Sequence, residues 1–294
     1  MSRVAPRHQA NWDWRAACNF IGGGAGAGVL LFAAIAAAQG APFRASGLLG
    51  LVLVGAGLSF VWLEIGRPFR ALNVFLHPHT SWMTREAMVA SLLFGAGFAA
   101  LLLGSVGVFW LAAALGMVFL YCQGRMLFAS KGIPAWRQPT IVALIMITGL
   151  TEGAGVLAAV LPWVAPELPL RWSLASLFLM LVARTVVWRS YLNQLAAAGA
   201  PAKSLAVYAG FDKPFIFIGN ALPALLAVTV LLAGAGAFTS VLAGILAVAG
   251  GWALKFTVVA RAAYNQGFAL PLHPVRGRGG RLPGIKPGWT PPAG

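Results

Sequence analysis

The chain has 294 residues, of which 60% are hydrophobic and only 9% charged, with a mean hydropathy of +0.82. A soluble domain carries about a quarter charged residues, so this composition excludes a water-soluble globule and points to an all-α polytopic integral membrane protein, a bundle of eight transmembrane helices. The net charge of +15, from 21 Lys+Arg against 6 Asp+Glu, reads as membrane topology; nucleic-acid binding would need a basic stripe on a soluble fold, and none is visible.

The first 15 residues are polar and basic, with no cleavable signal pattern. Apolar runs then predict spans at 16–39, 47–64, 85–104, 108–128, 139–161, 172–195, 215–234 and 238–263. Gly and Ala are dense in them, most of all in the first (Gly22, Gly23, Gly24, Gly26, Gly28), where small residues let helices approach closely in lipid. No internal repeat stands out in the sequence. Residues 1–267 form the transmembrane domain on this reading. The stretch 268–294 is a Pro/Gly/Arg-rich tail unable to form a core, either disordered or held extended by a partner.

Positive charge is one-sided. Arg3, Arg7 and Arg15 precede the first span; Arg67, Arg70 and Arg85 lie between spans two and three; Lys131 and Arg137 between four and five; Lys203 and Lys213 between six and seven; Arg276, Arg278, Arg281 and Lys286 follow the last. The opposite side holds only Arg44 and Arg171. Both termini are therefore expected in the cytoplasm, as are the longest structureless stretches, 65–84, 196–214 and the tail.

The second span ends in E-I-G-R-P-F-R-A-L-N (Glu64 to Asn73), and H-P-H-T-S-W-M-T-R-E (His77 to Glu86) leads into the third. Two acids thus flank one loop near the membrane boundary, where an unpaired acid is costly unless it is hydrated or handles protons. The structural alternatives are a salt bridge from Glu64 to Arg67 or Arg70, and for Glu86 a place in the first helical turn, complementing the macrodipole, with Ser81 or Thr84 as cap. Glu152, Arg184 and Lys255 fall deep in spans five, six and eight. A buried Glu–Arg or Glu–Lys pair is the expected way to carry them, and a proton path along them is the functional alternative. Arg189 and Arg261 are expected to snorkel. Asp212 and Lys213 stand before Pro214, with Asp212 a candidate N-cap and the nearby Phe211, Phe215 and Phe217 suited to a flat apolar ligand.

All four histidines (His8, His77, His79, His273) fall in expected loops or tails, so no axial haem ligand is available within a span. Cys18 and Cys122 are isolated, which predicts neither an iron–sulfur cluster nor a metal site in this chain.

The pair E-I-G-R-P-F-R-A-L-N and S-W-M-T-R-E resembles the haem-free membrane-anchor subunits of the dimethyl sulfoxide reductase and polysulfide reductase-like superfamily, over an eight-helix plan covering most of the chain. Within that group, W-L-E-I-G-R-P and the F-D-K-P region look most like the anchor of phenylacetyl-CoA:acceptor oxidoreductase. The resemblance implies a subunit of the bacterial cytoplasmic membrane, free of its own cofactor. It would exchange electrons between membrane quinone (menaquinone or ubiquinone) and an iron–sulfur partner serving a molybdopterin catalytic subunit on the cytoplasmic face. An acid on the third helix is tied to quinone in that family, and the position corresponds to Glu86; a histidine often found two residues before Gly-Arg-Pro is replaced here by Glu64. The expected quinone site therefore joins Glu86 and Glu64 as proton-exchanging groups with Arg67, Trp82, Arg85 and His77, and with Asp212 and Lys213 from the other long loop on the same face. Two other classes compete: a small-solute or ion transporter, which would draw on Glu152, Arg184 and Lys255, and a purely structural tether.

Overall fold

The computed structural model describes residues 2–65, 73–164, 170–234 and 236–270. Among these, eight helices are long and apolar enough to cross a membrane. They are α1 (Trp14–Ala38), α2 (Arg44–Ile65), α3 (Trp82–Leu103), α4 (Val106–Ala129), α5 (Thr140–Val164), α6 (Leu170–Ala197), α7 (Ala202–Ala233) and α8 (Ala237–Arg261). Helices are what this composition must form in lipid, because backbone groups have no water to bond and must pair within the segment. The all-α, multi-pass architecture expected from the sequence is what is observed.

Packing divides the bundle into two four-helix halves. In the first, α1 packs on α2 and α4, and α3 on α4; in the second, α5 packs on α6 and α8, and α7 on both of those. The halves meet through α1 and α5, which explains why 78% of the most apolar stretch of α1 and 67% of that of α5 are buried, against at most 44% in any other helix. This two-fold plan has no counterpart in a visible sequence repeat. It is carried by glycines. Gly24 and Gly28 of α1 face Gly149 and Gly153 of α5 backbone to backbone, so that a Cβ on Gly28 or Gly153 would penetrate the other helix's main chain. On the other flank of α1, a Cβ on Gly22 would lie 2.7 Å from the Leu53 carbonyl oxygen of α2. Without a hydrophobic force between helices in lipid, this closeness is what gives dispersion its reach.

The first and last described residues, Ser2 and Leu270, lie on one face. Ser2–Val4 (β1) pairs antiparallel with Phe268–Leu270 (β2), and the Gln9 amide donates to the Ala263 carbonyl at 2.9 Å. The expected tail from 268 therefore begins as a strand, because unpaired backbone at the N-terminus offers it a ladder; residues 271–294 lie outside the described residues. This termini-bearing face also carries the α2–α3, α4–α5 and α6–α7 connections.

Two further expectations are corrected. The stretch 196–214 is not a long loop: α7 starts at Ala202, Pro214 sits inside the helix, and Asp212 is an interior residue, not an N-cap. The charges at Lys203, Asp212 and Lys213 mask an apolar stripe in which Tyr208 and Phe215 are buried against Trp188 of α6. Glu86 is not in the first turn either. The α3 helix is capped by Ser81, whose hydroxyl accepts from Thr84 N at 3.2 Å; Glu86 is its fifth residue and is 3% exposed. Two π-helical stretches, Phe217–Ala221 in α7 and Thr257–Arg261 in α8, interrupt the regular ladder. In the second, Trp136 Nε1 donates to Val258 O at 3.0 Å, and just past its end Ser204 Oγ donates to the free carbonyl of the C-cap residue Ala262 at 2.8 Å.

Candidate functional site

Glu86 lies four residues below the start of α3, about 6 Å into the bundle at 1.5 Å per residue. Its carboxyl group faces two amides. Asn19 of α1 donates from Nδ2 to Glu86 Oε1 at 3.5 Å, and Gln123 of α4 donates from Nε2 to the Asn19 backbone carbonyl at 3.1 Å. Gly23 clears the space that the Gln123 amide occupies. Asn19 Oδ1 and Gln123 Oε1 are both buried with no hydrogen-bond partner. A buried orphan acceptor costs about 1–3 kcal/mol. Two beside a carboxyl group mean that this cluster is short of donors: a proton on Glu86, a water or a ligand hydroxyl would fill the deficit.

The other side of Glu86 opens to the outside of the bundle. A pocket of about 260 Å³ between α2 and α3 is walled by Leu58, Val61, Trp62, Phe75, Met83 and Phe94, with Glu86 at its inner end. A shallower groove of about 530 Å³ shares Leu58, Trp62 and Phe94 with it and continues along α2 past Ser59 to Gly55. Trp62 is 58% and Met83 40% exposed, as side chains turned to lipid are. The arrangement suits a flat apolar ring with polar oxygens, and an apolar chain trailing along the outside of α2.

Beside the pocket, Trp82 is held between two guanidinium groups. Arg85 lies 4.2 Å and Arg125 of α4 4.6 Å from its ring centre. Arg85 is fixed by donating to the Pro78 and His79 carbonyls, each at 2.8 Å, and Arg125 donates to Tyr121 Oη at 3.1 Å. The cations thus hold the loop before α3 against α4. His77 is exposed, and its carbonyl accepts from Ser81 N. Arg67 and the side chain of Glu64 lie outside the described residues.

Asp212 and Lys213 do not join this site. They belong to α7, in the other half. Asp212 accepts from Trp188 Nε1 and from Arg189 Nη1, both at 2.8 Å, and Lys213 is exposed. Arg189, expected to snorkel, is instead half of this ion pair, at 51% side-chain exposure. Of the aromatic residues near Asp212, Phe211 and Phe215 pack on Trp188, whereas Phe217 is exposed.

A second polar centre lies at mid-bundle. Lys255 Nζ contacts Glu152 Oε2 at 2.6 Å with both side chains fully buried, so the Glu–Lys pairing is the one realised. Gly24 leaves room for the lysine head, and a Cβ on Gly251 would lie 2.5 Å from Glu152 Oε1. Arg184, also fully buried, donates to Asn220 Oδ1 at 2.9 Å, to Ala247 O at 3.0 Å and to Gly219 O at 2.5 Å. Gly219 and Asn220 belong to the π stretch of α7, which is what turns their acceptors toward the arginine.

Asn19, Gln123, Arg125 and Asn220 were not anticipated from the sequence. The available signal was a lone amide or guanidinium inside an apolar span, which is costly unless partnered. Among the described residues no group of three His, Cys, Asp or Glu is placed to hold a metal ion. No protein-family model matches the chain, and no curated protein matches it at a significant level.

Proposed function

We propose that this chain is the membrane-anchor, quinone-interacting subunit of an oxidoreductase complex, passing electrons between a membrane quinone or quinol and an iron–sulfur partner that serves a molybdopterin subunit. The observation that carries the reading is the Glu86 carboxyl group at the end of an apolar, lipid-side pocket, beside two buried carbonyl oxygens that lack donors. A quinol brings hydroxyl donors and an apolar ring; its oxidation releases two electrons and two protons. Glu86 is the group in the pocket able to take up a proton, while Asn19 and Gln123 orient it. The pocket lies near the termini-bearing face, which carries the longer connections and most of the basic residues, and this is the face on which a partner would dock. That face is the cytoplasmic one on the charge asymmetry.

The transporter alternative loses weight at mid-bundle. Glu152 and Lys255 are in direct contact and walled in by Gly24 and Gly251, an arrangement that fits a structural ion pair better than a substrate site.

The test is Glu86→Gln in the complex purified from its native membrane. The amide keeps size and most hydrogen bonds but removes the titratable proton. Quinone-coupled turnover should fall by about tenfold or more, since general acid–base help is typically worth about 10²–10⁴-fold. Partner assembly and turnover with artificial dyes that accept electrons directly from the partner should persist. Wild-type quinone-coupled turnover in Glu86→Gln, or a chain that purifies with no iron–sulfur protein, would refute the proposal.

A further inference from the structure

Glu86 lines two spaces. Opposite the α2–α3 pocket, across Val61 and Met83, lies a crevice of about 30 Å³ bounded by Trp12, Ala16, Asn19 and Met126. One water needs about 10–15 Å³ of such space and two or more polar partners; the Glu86 carboxyl group and the Asn19 amide provide them. Beyond the crevice, Trp12 forms the partition to a surface groove of about 260 Å³ edged by Gln9, Asn11, Ser130 and Lys131 on the termini-bearing face. Trp12 is held in that position from three sides. Its amide donates to Gln9 Oε1 at 2.8 Å, its carbonyl accepts from Gln9 Nε2 at 2.5 Å, and its ring packs on Trp136 at 5.1 Å. The carboxyl group therefore stands in the wall between a lipid-side pocket and a small crevice, apolar but for Glu86 and Asn19, one side chain from the surface groove.

We infer that Glu86 exchanges protons with water on the termini-bearing face through this crevice, with Asn19 and Gln123 as positioning residues and Trp12 as its outer wall. The inference rests on the quinone reading only for what delivers the proton. In the direction of quinol oxidation, the two ring O–H bonds break one after the other, and each proton in turn passes to a Glu86 carboxylate oxygen. Each moves on to a crevice water, which releases one outward past Trp12, so that Glu86 is a carboxylate again before the second transfer. The two electrons left on the ring pass to the iron–sulfur partner, and the quinone remains. The route gives the unpartnered amide oxygen of Asn19, which lines the crevice, a donor in the crevice water. It is short because the carboxyl group lies only about one helical turn below the start of α3.

Two measurements test it. Met126 is 6% exposed and lines the crevice, so radiolytic hydroxyl-radical footprinting of the purified complex in ¹⁸O-water reads whether exchangeable water reaches it. Met126 should acquire labelled sulfoxide in the wild-type protein and several-fold less in Ala16→Leu, whose larger side chain fills the crevice. Ala16→Leu should also lower quinone-coupled turnover by about tenfold or more, up to the about 10²–10⁴-fold of complete loss of proton-transfer help, while binding of a quinone analogue stays unchanged. Equal Met126 labelling in wild type and Ala16→Leu would overturn the route, as would a plugged variant that turns over at the wild-type rate. Where Ala16→Leu does not assemble, Trp12→Ala replaces it: opening the outer wall should raise Met126 labelling, and unchanged labelling would count against the route. The footprint judges the crevice whatever ligand the pocket takes, so failure of the quinone reading is separately visible as absent analogue binding in the wild-type complex.

Discussion

Removing one charge from the mid-bundle cluster should destabilise the protein in a definite order. Lys255 and Glu152 are in contact at 2.6 Å with no exposure, and Arg184 lies close enough to act on both electrostatically. The cluster holds two cations and one anion, a net charge of +1. Glu152→Gln leaves +2 in the bundle interior, whereas Lys255→Met leaves a neutral Glu152–Arg184 arrangement. Breaking a buried pair typically costs about 3–5 kcal/mol. Arg184 is already engaged by Asn220 and two backbone carbonyls and can still offset Glu152. Glu152→Gln should therefore fall near the upper end of that range and Lys255→Met near or below the lower end. Against a total stability of about 5–15 kcal/mol, the first loss is large enough to reduce the yield of folded protein. The assay is unfolding in mixed micelles by titrated sodium dodecyl sulfate, followed by tryptophan fluorescence, with both variants and the double variant in parallel. A Glu152→Gln protein as stable as Lys255→Met, or more so, would refute the charge count.

Other consequences are local. Gly153→Ala should destabilise by about 1–3 kcal/mol, the usual cost of overpacking, because the added methyl meets the Gly28 backbone. Gly95→Ala, with open space around its Cβ, should be neutral or gain up to about 1 kcal/mol; thermal unfolding of the pair checks this, and equal losses would argue against the close α1–α5 contact. Asp212→Ala should cost about 1–3 kcal/mol by orphaning the buried Trp188 indole N–H, visible as a shift in tryptophan emission. It should leave quinone-coupled turnover intact, and a loss as large as that of Glu86→Gln would bring α7 into the proton chemistry. Asp13 caps α1 at the membrane boundary, and its hydrogen bonds from the Arg15 side chain and amide hold its pKa below the ordinary 3.8. The unfolded chain takes up that proton first as pH falls, so the cap's contribution is present above about pH 4 and is lost below it as the folded carboxylate is protonated. Asp13→Asn should flatten this part of the acid-stability profile, measured by unfolding at stepped pH; an unaltered profile would exclude the cap as its source.

The eight spans were legible in the sequence because lipid removes the ambiguity of apolar runs: with no water for the backbone, a run of about 20 apolar residues has one stable outcome. The same logic flagged Glu152 as the partner of Arg184 or Lys255, since buried charges need counter-charges, and the packing chose Lys255. Composition alone could not reveal where those constraints meet in space. The stripe that makes 202–214 a helix alternates with charges, and it becomes apolar only once Trp188 is packed against Tyr208 and Phe215. The two-fold plan rests on glycines, whose role in close contact depends on what lies opposite, and a missing side chain carries no pattern of its own. Glu86 could be singled out as an acid near a boundary. Its burial and its setting between a lipid-side pocket and a small inner crevice depend on Asn19 of α1 and Gln123 of α4, 67 residues before it and 37 after. Single amides at such separations become a site only when helix packing brings them to one carboxyl group, and that packing is decided by backbone approach, which the linear order of side chains does not encode.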